Sequence, residues 1–302
     1  MSAAGGGRAG SADFAARWVR TPEAIALAGF LLFTLVALAG YWAFGLAPER
    51  LPRTAWAAAV YQRSFPWFAR LHILISGAVL LLALRRHAGL RWVGALTAVY
   101  LLSFTAEHVG TGYGIPFSGY AYTGLLGPRL LDRVPLVIPL SWFLMAAPAW
   151  VLARATFPRA DQAVARVLQA TLLLVLWDLA LDPAMSFLAP YWVWEAPGAF
   201  YGMPWVNLAG WAGTGVVLMI ALEALQRSAD WAGSLPVRWT LGYYLTVLLM
   251  PLGMVTAAGL WGAVAATLGA LGLAGAVHRA FAPARAPGTA ASPFTVAAEG
   301  AS

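Results

Sequence analysis

Long apolar runs alternate with short polar connections along most of the chain, and this alternation predicts helices that span a membrane. A helix needs about 20 apolar residues to cross the hydrocarbon core of a bilayer. Eight runs are close to that length, although the last two are nearly continuous. They cover residues 24–45, 66–84, 90–106, 134–153, 164–181, 205–225, 238–260 and 261–277. The predicted fold is therefore all-α, a polytopic transmembrane helix bundle of about eight spans.

Composition narrows the class of protein further. Of the 302 residues, 61% are hydrophobic and 10% are charged, and the mean hydropathy is +0.72. A soluble domain has about 25% charged residues, so these values exclude soluble enzymes and nucleic-acid-binding proteins. We expect the protein to lie in a lipid bilayer, and we expect no nucleic acid as a partner. The absence of cysteine excludes disulfides, thiolate nucleophiles, iron–sulfur clusters and cysteine-based zinc sites.

The arginines indicate how the bundle is oriented. All 19 basic residues are Arg, and the net charge is +7. With eight spans, 13 of these arginines lie on the side of the two termini. Because positive residues favour the cytoplasmic side, we predict a multi-pass protein of the cell inner (cytoplasmic) membrane with both termini in the cytoplasm. Residues 17–281 are predicted to form one transmembrane domain with its motif core at 105–225, and the tails 1–16 and 282–302 to be disordered.

Two connections on the side opposite the termini are unlike ordinary loops. Residues 111–128 contain five Gly, two Pro and six hydroxyl side chains, and residues 182–205 contain seven aromatic side chains. Aromatic residues are enriched at membrane interfaces, but the density of Gly and Pro indicates irregular backbone. Such backbone is tolerated at membrane depth where it is buried in protein or lines a cavity. We therefore predict that these two connections line a cavity, and we predict no β-strands.

The two connections also resemble each other. Residues 107–117 align without gaps on residues 195–205, and five of the eleven positions are identical. One hypothesis is a duplication in which both copies form the same irregular turn and bring their first residue, Glu107 or Glu195, toward a shared cavity. The alternative is a chance match in a chain rich in Gly, Pro and aromatic residues.

Four carboxyl groups lie near the same end of the predicted spans: Glu107, Asp178, Asp182 and Glu195. A carboxyl group at bilayer depth costs about 2.5–3.5 kcal/mol, so its presence there is a functional hypothesis by default. Asp178 and Asp182 are four residues apart and share one helix face. The alternative for this pair is a structural role, bonded to Tyr and Trp side chains or to Arg129 and Arg133. The alternative for the two glutamates is the capping of interfacial loops.

Carboxyl groups and aromatic rings are the chemistry that this chain offers, because no His or Cys cluster has the spacing of metal ligands. A protonated carboxyl group in a dry pocket can transfer its proton to an isoprenoid double bond. Aromatic faces stabilise a desolvated cation by ~2 kcal/mol or more each, and a second carboxylate can act as the base for an attacking water. We therefore expect neither a metal nor an organic cofactor.

The motif core carries a resemblance to a known family. The stretch 114–142 contains GIPF, GYAY, LGP and VPLVIPLSW, and the stretch 181–211 contains LDP, YWVW, YGMP and NLAGW. These motifs resemble the CruF-type carotenoid 1,2-hydratases and the related bisanhydrobacterioruberin hydratases. The chain departs from the family pattern at Ser118, where FSGY stands in place of FGxY, and at Leu208, where NL stands in place of NF.

The resemblance implies a hydratase that adds water to the terminal 1,2 (1′,2′) double bond of an acyclic end group, in a carotenoid of the lycopene or gamma-carotene type, giving a tertiary hydroxyl. The predicted catalytic residues are Asp182, Asp178, Glu107 and Glu195. Asp182 is the preferred acid because Pro183 breaks the helix there, and Asp178 lies one turn deeper. The predicted substrate-binding residues are Tyr113, Phe117, Tyr120, Tyr122, Trp192, Trp194, Tyr201, Trp205, Asn207 and Trp211.

Two further functions stay open at this point. The Asp178 and Asp182 pair would also suit the proton relay of a carrier for a lipophilic substrate. A non-catalytic carotenoid-binding or assembly subunit is the other alternative. Other enzymes of the carotenoid pathway are the candidate protein partners.

Overall fold

Eight long helices make up most of the computed structural model, which describes residues 21–283. The predicted all-α bundle is thereby confirmed. The predicted disordered tails fall outside the described residues, apart from residues 282 and 283. The helices are α1 (Pro22–Gly40), α2 (Ala55–Ala88), α3 (Val93–Tyr113), α4 (Val137–Thr156), α5 (Ala163–Asp182), α6 (Trp205–Gln226), α7 (Val237–Ala257) and α8 (Trp261–Phe281).

Seven of these helices are long and apolar enough to cross a membrane, so the chain is a multi-pass membrane protein. The remaining one is α3, whose last two turns carry Glu107 and His108. These two side chains lower its mean hydropathy, although its 21 residues match the length of its neighbours.

Two helix boundaries differ from the apolar runs. The helix α2 begins at Ala55 rather than near residue 66, because the Thr54 side chain caps it by accepting a hydrogen bond from the Ala57 backbone N–H at 3.2 Å. It then runs through Pro66 without ending. The nearly continuous last run is divided at Gly259, whose φ of +73° turns the chain between α7 and α8.

Two of the helices continue into π-helical turns at the same end of the bundle. The first, Tyr41–Gly45, follows α1, and the second, Pro183–Leu188, follows α5. The α-helical part of α5 ends at Asp182, as the proline predicts, but the chain keeps winding for six more residues. Such turns occur often at functional sites.

The prediction of no strands is wrong. The described residues contain four short strands: β1 (Tyr120–Tyr122), β2 (Arg129–Leu130), β3 (Val134–Pro135) and β4 (Trp192–Trp194). The strands β2 and β3 form a small antiparallel pair. The strands β1 and β4 also pair antiparallel, with Tyr120 opposite Trp194 and Tyr122 opposite Trp192. Because β1 belongs to the first connection and β4 to the second, this pairing joins the two.

The core of the bundle lies around α4. Within its apolar stretch 72% of the residues are buried, against 17% for α1 and for α8. Large side chains of α4 such as Trp142, Phe143 and Trp150 are almost completely inaccessible. The outer helices α1 and α8 instead expose apolar side chains, as expected for surfaces that face lipid.

Candidate active site

A cavity lies in the bundle beneath the β1–β4 pair and encloses about 950 Å³ of empty space, including the part open to the outside. Residues from α2 to α7 contribute to its wall. Its polar groups include the carboxyl groups of Glu107 and Asp182 and the amide of Asn207. Its aromatic wall contains Phe117, Tyr120, Tyr122, Trp142, Trp177, Tyr191, Trp192, Trp194 and Trp211. The predicted cavity is therefore present, and both connections contribute to it.

Glu107 enters this cavity from the end of α3 and is only 4% exposed. Its Oε2 accepts hydrogen bonds from the hydroxyl groups of Tyr120 and Tyr122, the latter at 2.7 Å. Its Oε1 accepts one from the indole N–H of Trp142 at 2.8 Å. Three donors on one carboxyl group suit the ionised form, which only accepts hydrogen bonds.

The two tyrosines remain donors under ordinary conditions. Burial, followed by the charge of the adjacent Glu107, raises the pKa values of Tyr120 and Tyr122 well above the ordinary value of a phenol. Both hydroxyl groups therefore keep their protons and keep donating to Glu107.

Asp178 and Asp182 lie in the last turns of α5, buried at 0% and 1% exposure. The Asp182 Oδ1 accepts a hydrogen bond from the indole N–H of Trp192 at 2.7 Å. The amide of Asn207 donates to Oδ2 of Asp182 and also reaches Oδ2 of Asp178 at 3.3 Å. Asp182 lines the cavity, whereas Asp178 lies behind it.

One oxygen of Asp178 is left over. Its Oδ1 is buried and has no hydrogen-bond partner among the described residues. The Asn207 amide bridges the two carboxyl groups, since it reaches Oδ2 of both. Two carboxylates cannot donate hydrogen bonds to each other, so a donor such as this amide is what connects them. The two carboxyl groups are therefore held side by side, with Asp182 at the cavity wall.

The β1–β4 pair connects the two acidic sites. Tyr122 stands directly opposite Trp192, with ring centroids 6.1 Å apart. Tyr122 donates to Glu107, and Trp192 donates to Asp182. One pair of strands thus positions a donor on each carboxyl group, so the separation of the two acids depends on the strand register.

No cation of the described part of the chain neutralises these carboxyl groups. Of the ion pairs among residues 21–283, none includes Glu107, Asp178 or Asp182. Arg129 donates to the carbonyl of Tyr122 at 2.5 Å and Arg133 to that of Thr111 at 3.0 Å. The alternative in which these arginines pair with the aspartates therefore finds no support. Of the Tyr and Trp partners in the other alternative, Trp192 bonds Asp182, whereas among the described residues the hydrogen bond to Asp178 comes from Asn207.

A stacked aromatic wall completes the site. The rings of Trp142 and Trp211 lie 3.9 Å apart at 18°, and Trp177 meets Trp211 edge-on at 5.9 Å. Phe117 packs against Trp142 at 6.2 Å. These faces surround a space that carboxyl groups reach from two sides.

Four predicted site residues lie elsewhere. Glu195 is exposed and follows β4, where its backbone N–H donates to the carbonyl of Gly119. Tyr113 is 80% exposed and Trp205 is 58% exposed. The hydroxyl of Tyr201 accepts a hydrogen bond from the Gly262 backbone at the start of α8. None of the four lines the cavity; the other ten predicted residues are all in or directly behind its wall.

The duplication hypothesis also finds no support in the backbone. Residues 107–113 are helical, whereas residues 195–201 follow β4 without forming a helix. The turns share a glycine of positive φ, at Gly114 and Gly202, but only the first copy brings its glutamate into the cavity.

Sequence reasoning missed several residues that line the cavity. Trp142, Trp177 and Tyr191 belong to it, and so does His72. Two features of the sequence could have identified them. Trp142 is the last residue of one of the motifs, and Trp177 directly precedes Asp178. The ring of His72 packs on Phe30, with centroids 4.9 Å apart.

Within residues 21–283, no three His, Asp or Glu side chains come close enough together to hold a metal ion. The candidate site is therefore described by its carboxyl, amide, phenol and indole groups alone.

The part of the chain that forms this site is similar in sequence to known proteins. A sequence model of a family described as carotenoid biosynthesis protein matches residues 68–274. A bisanhydrobacterioruberin hydratase of Haloarcula japonica is 36% identical over 139 residues. That match covers 46% of this chain and 45% of the relative, so it spans less than half the length of the curated protein. No solved structure matches the chain.

Proposed function

Because the chain belongs to the carotenoid biosynthesis protein family, we propose that it is a carotenoid hydratase. In this proposal it adds water across the terminal 1,2 double bond of an acyclic carotenoid end group. The hydratase name of the 36% identical relative supports the reaction class. The observation that carries the proposal is the cavity itself, in which Glu107 and Asp182 face a common aromatic space and form no ion pair with any residue in 21–283.

The acid in this mechanism is Asp182, supplied with its proton by Asp178. Asp182 reaches the cavity and Asp178 does not, so the proton moves from the buried carboxyl group to the accessible one. An isolated buried charge is costly, and the shared proton spares the pair a double charge. Transfer of this proton to C2 of the substrate breaks the π bond and leaves a tertiary cation at C1.

The aromatic wall then stabilises the cation. An aromatic face stabilises a desolvated cation by about 2 kcal/mol or more. Such faces line the cavity at Trp142, Trp211 and Trp177. The wall also limits the access of bulk water, so that the cation meets the water that the enzyme positions.

The base is Glu107. Its three hydrogen bonds suit a carboxylate, and it accepts a proton from the water as the water oxygen bonds to C1. The product is a tertiary alcohol that carries the transferred proton on C2. The proton on Glu107 returns to the aspartates through water, and the enzyme needs no redox partner for the cycle.

The proposed substrate is a carotenoid with an acyclic end group, of the lycopene or gamma-carotene type. The proposed location is the inner (cytoplasmic) membrane, with the carboxyl groups near the outer interface. A linear carotenoid is comparable in length with the ~30 Å hydrocarbon thickness, so its end group naturally reaches that depth.

Pigment chemistry tests this proposal. The protein is expressed in a lycopene-accumulating host, and the pigments are analysed by mass spectrometry after growth in oxygen-18-labelled water. We expect a product heavier than lycopene by one labelled water, and no such product from the Asp178→Asn/Asp182→Asn double variant. Pigment that is moved or bound by the wild-type protein without a change of mass would contradict the proposal, and so would normal hydration by the double variant.

A further inference from the structure

A second cavity adjoins the first. It encloses about 1150 Å³ of empty space, including open solvent, between the end of α1, the start of α2 and part of α7. The two cavities share four wall residues, which are Phe68, Met185, Tyr191 and Met250. The space occupied by the carboxyl groups is therefore separated from the second cavity by one layer of side chains.

The chemistry of the second cavity differs from that of the first. Its lining includes Trp56, Phe44 and Tyr61, and none of the described residues in its wall is charged. The hydroxyl groups of Ser64 and Tyr191 donate to the backbone carbonyls of Tyr61 and Phe65 at 2.6 and 2.7 Å. With these two hydroxyl groups satisfied, the lining that remains is apolar or aromatic, and its polar atoms belong to Tyr41, Trp56 and Tyr61.

The two π-helical turns found between residues 21 and 283 both border this region. The turn Tyr41–Gly45 supplies Tyr41, Phe44 and Gly45 to the second cavity, and the turn Pro183–Leu188 supplies the shared residue Met185. A side chain on Gly45 would collide with the ring of Tyr41 at 2.5 Å, so the glycine lets that ring lie along the wall. The unbranched side chains of Met185 and Met250 can rearrange more easily than branched ones.

We propose that the second cavity holds the polyene chain of the substrate, while the first cavity holds its reacting end. This inference rests on the proposed hydratase function for the identity of the ligand. Ligand pockets of about 300–1,000 Å³ hold drug-sized molecules, and a full-length carotenoid is longer than these. The chain passes between Phe68, Tyr191 and the two methionines, so that the apolar cavity selects for long polyenes and the acidic cavity performs the chemistry.

Ala57 provides the test. Its side chain is 4% exposed and lines the second cavity, whereas its neighbour Ala58 is exposed on the outside of α2. Ala57→Phe fills the second cavity without touching the carboxyl groups, and Ala58→Phe adds the same ring outside it. Ala57→Leu is a milder filling in case the larger ring prevents folding. Melting temperature in detergent checks that each variant is folded.

Hydration is measured for a full-length acyclic carotenoid and for a monoterpene-length analogue with the same end group. We expect Ala57→Phe to lower the ratio of kcat/KM for the long substrate over the short one at least tenfold, since crowding in an apolar pocket discriminates by about 10–200-fold. Ala57→Leu should lower this ratio less, and Ala58→Phe should leave it unchanged. An unchanged ratio in folded Ala57→Phe would overturn the inference.

A binding measurement separates this inference from the proposed function. Quenching of tryptophan fluorescence by the long polyene is recorded for the wild type, Ala57→Phe and Ala58→Phe. Loss of binding in Ala57→Phe alone supports the polyene site even if the wild type hydrates nothing, in which case the hydratase proposal fails by itself. Equal quenching in all three proteins would overturn the polyene site and leave the hydratase proposal intact.

Discussion

Glu107 and Glu195 begin two segments that align without gaps, yet the fold gives them opposite surroundings. Glu107 lies on the last turns of α3 and accepts three hydrogen bonds inside the cavity. Glu195 follows β4 and is exposed. The element that carries each residue decides the outcome, because a helix can project a side chain into the bundle whereas the chain beyond an edge strand leaves it outside. Identical residues in identical order therefore do not indicate identical roles.

The largest change in activity that tests this contrast is expected when the two glutamates themselves are substituted. Glu107→Gln should lower kcat by about 10²-fold or more, as expected for the loss of a general base, while Glu195→Gln should change kcat less than about twofold. Initial rates of hydration with both purified variants, and with the wild type, give the comparison. Equal losses in the two variants would contradict the different roles proposed for Glu107 and Glu195.

A smaller effect on kcat is expected when a residue that donates a hydrogen bond to Glu107 is changed. Tyr122→Phe removes the hydroxyl that donates to Glu107 at 2.7 Å, and a hydrogen bond to a charged group contributes about 1.5–3 kcal/mol. We expect kcat to fall roughly tenfold, since 1.4 kcal/mol corresponds to a factor of ten. Tyr113→Phe, which alters an exposed tyrosine of the same connection, is the matched control. A Tyr122→Phe enzyme with wild-type kcat would mean that the strand pair does not position the base.

The sequence predicts the scaffold better than the details of the site. Eight apolar runs lead to eight helices, because length and hydropathy are local properties of the chain. The start of α2 and the strands β1 and β4 are not predicted, since the cap at Thr54 and the pairing of distant segments leave no long apolar signal. The search for runs of helical length overlooks strands of three residues.

The site is predicted in part for the same reason. Glu107, Asp178 and Asp182 stand out because carboxyl groups are rare at bilayer depth, and the fold gathers them at one cavity. Membership of the aromatic wall depends on which face of a turn is buried, so Tyr113 and Trp205 were included and Trp142 was omitted. Motif composition identifies the region, and tertiary packing selects the residues within it.

A third aligned pair tests packing rather than chemistry. Phe117 is 2% exposed and its aligned counterpart Trp205 is 58% exposed. The ring of Phe117 lies so close to Gly110 and Gly210 that a methyl group on either would approach it within 2.8 and 2.7 Å. Phe117→Leu should lower the free energy of unfolding by about 1 kcal/mol, whereas Trp205→Leu should change it by less than about 0.5 kcal/mol. Thermal denaturation of both variants in the same detergent measures the difference, and equal shifts would contradict the wedge-like role of Phe117.

The last prediction concerns the side of the membrane on which the two connections lie. Its substitutions are expected to change activity least. The β1–β4 pair requires both connections to lie at one end of the bundle, and the arginine distribution predicts that this end faces away from the cytoplasm.

Because the chain has no cysteine, single-cysteine variants report position without background. Ser118→Cys and Ala199→Cys, one in each connection, should react with an impermeant thiol reagent added to intact cells. Ser228→Cys, exposed between α6 and α7 at the other end, should react only after the cells are opened. All three should retain wild-type hydration, because none of these residues lines either cavity. Labelling of Ser118→Cys and Ala199→Cys from opposite sides would break the strand pairing, whereas labelling of both only from the cytoplasm would preserve the pairing and reverse the orientation.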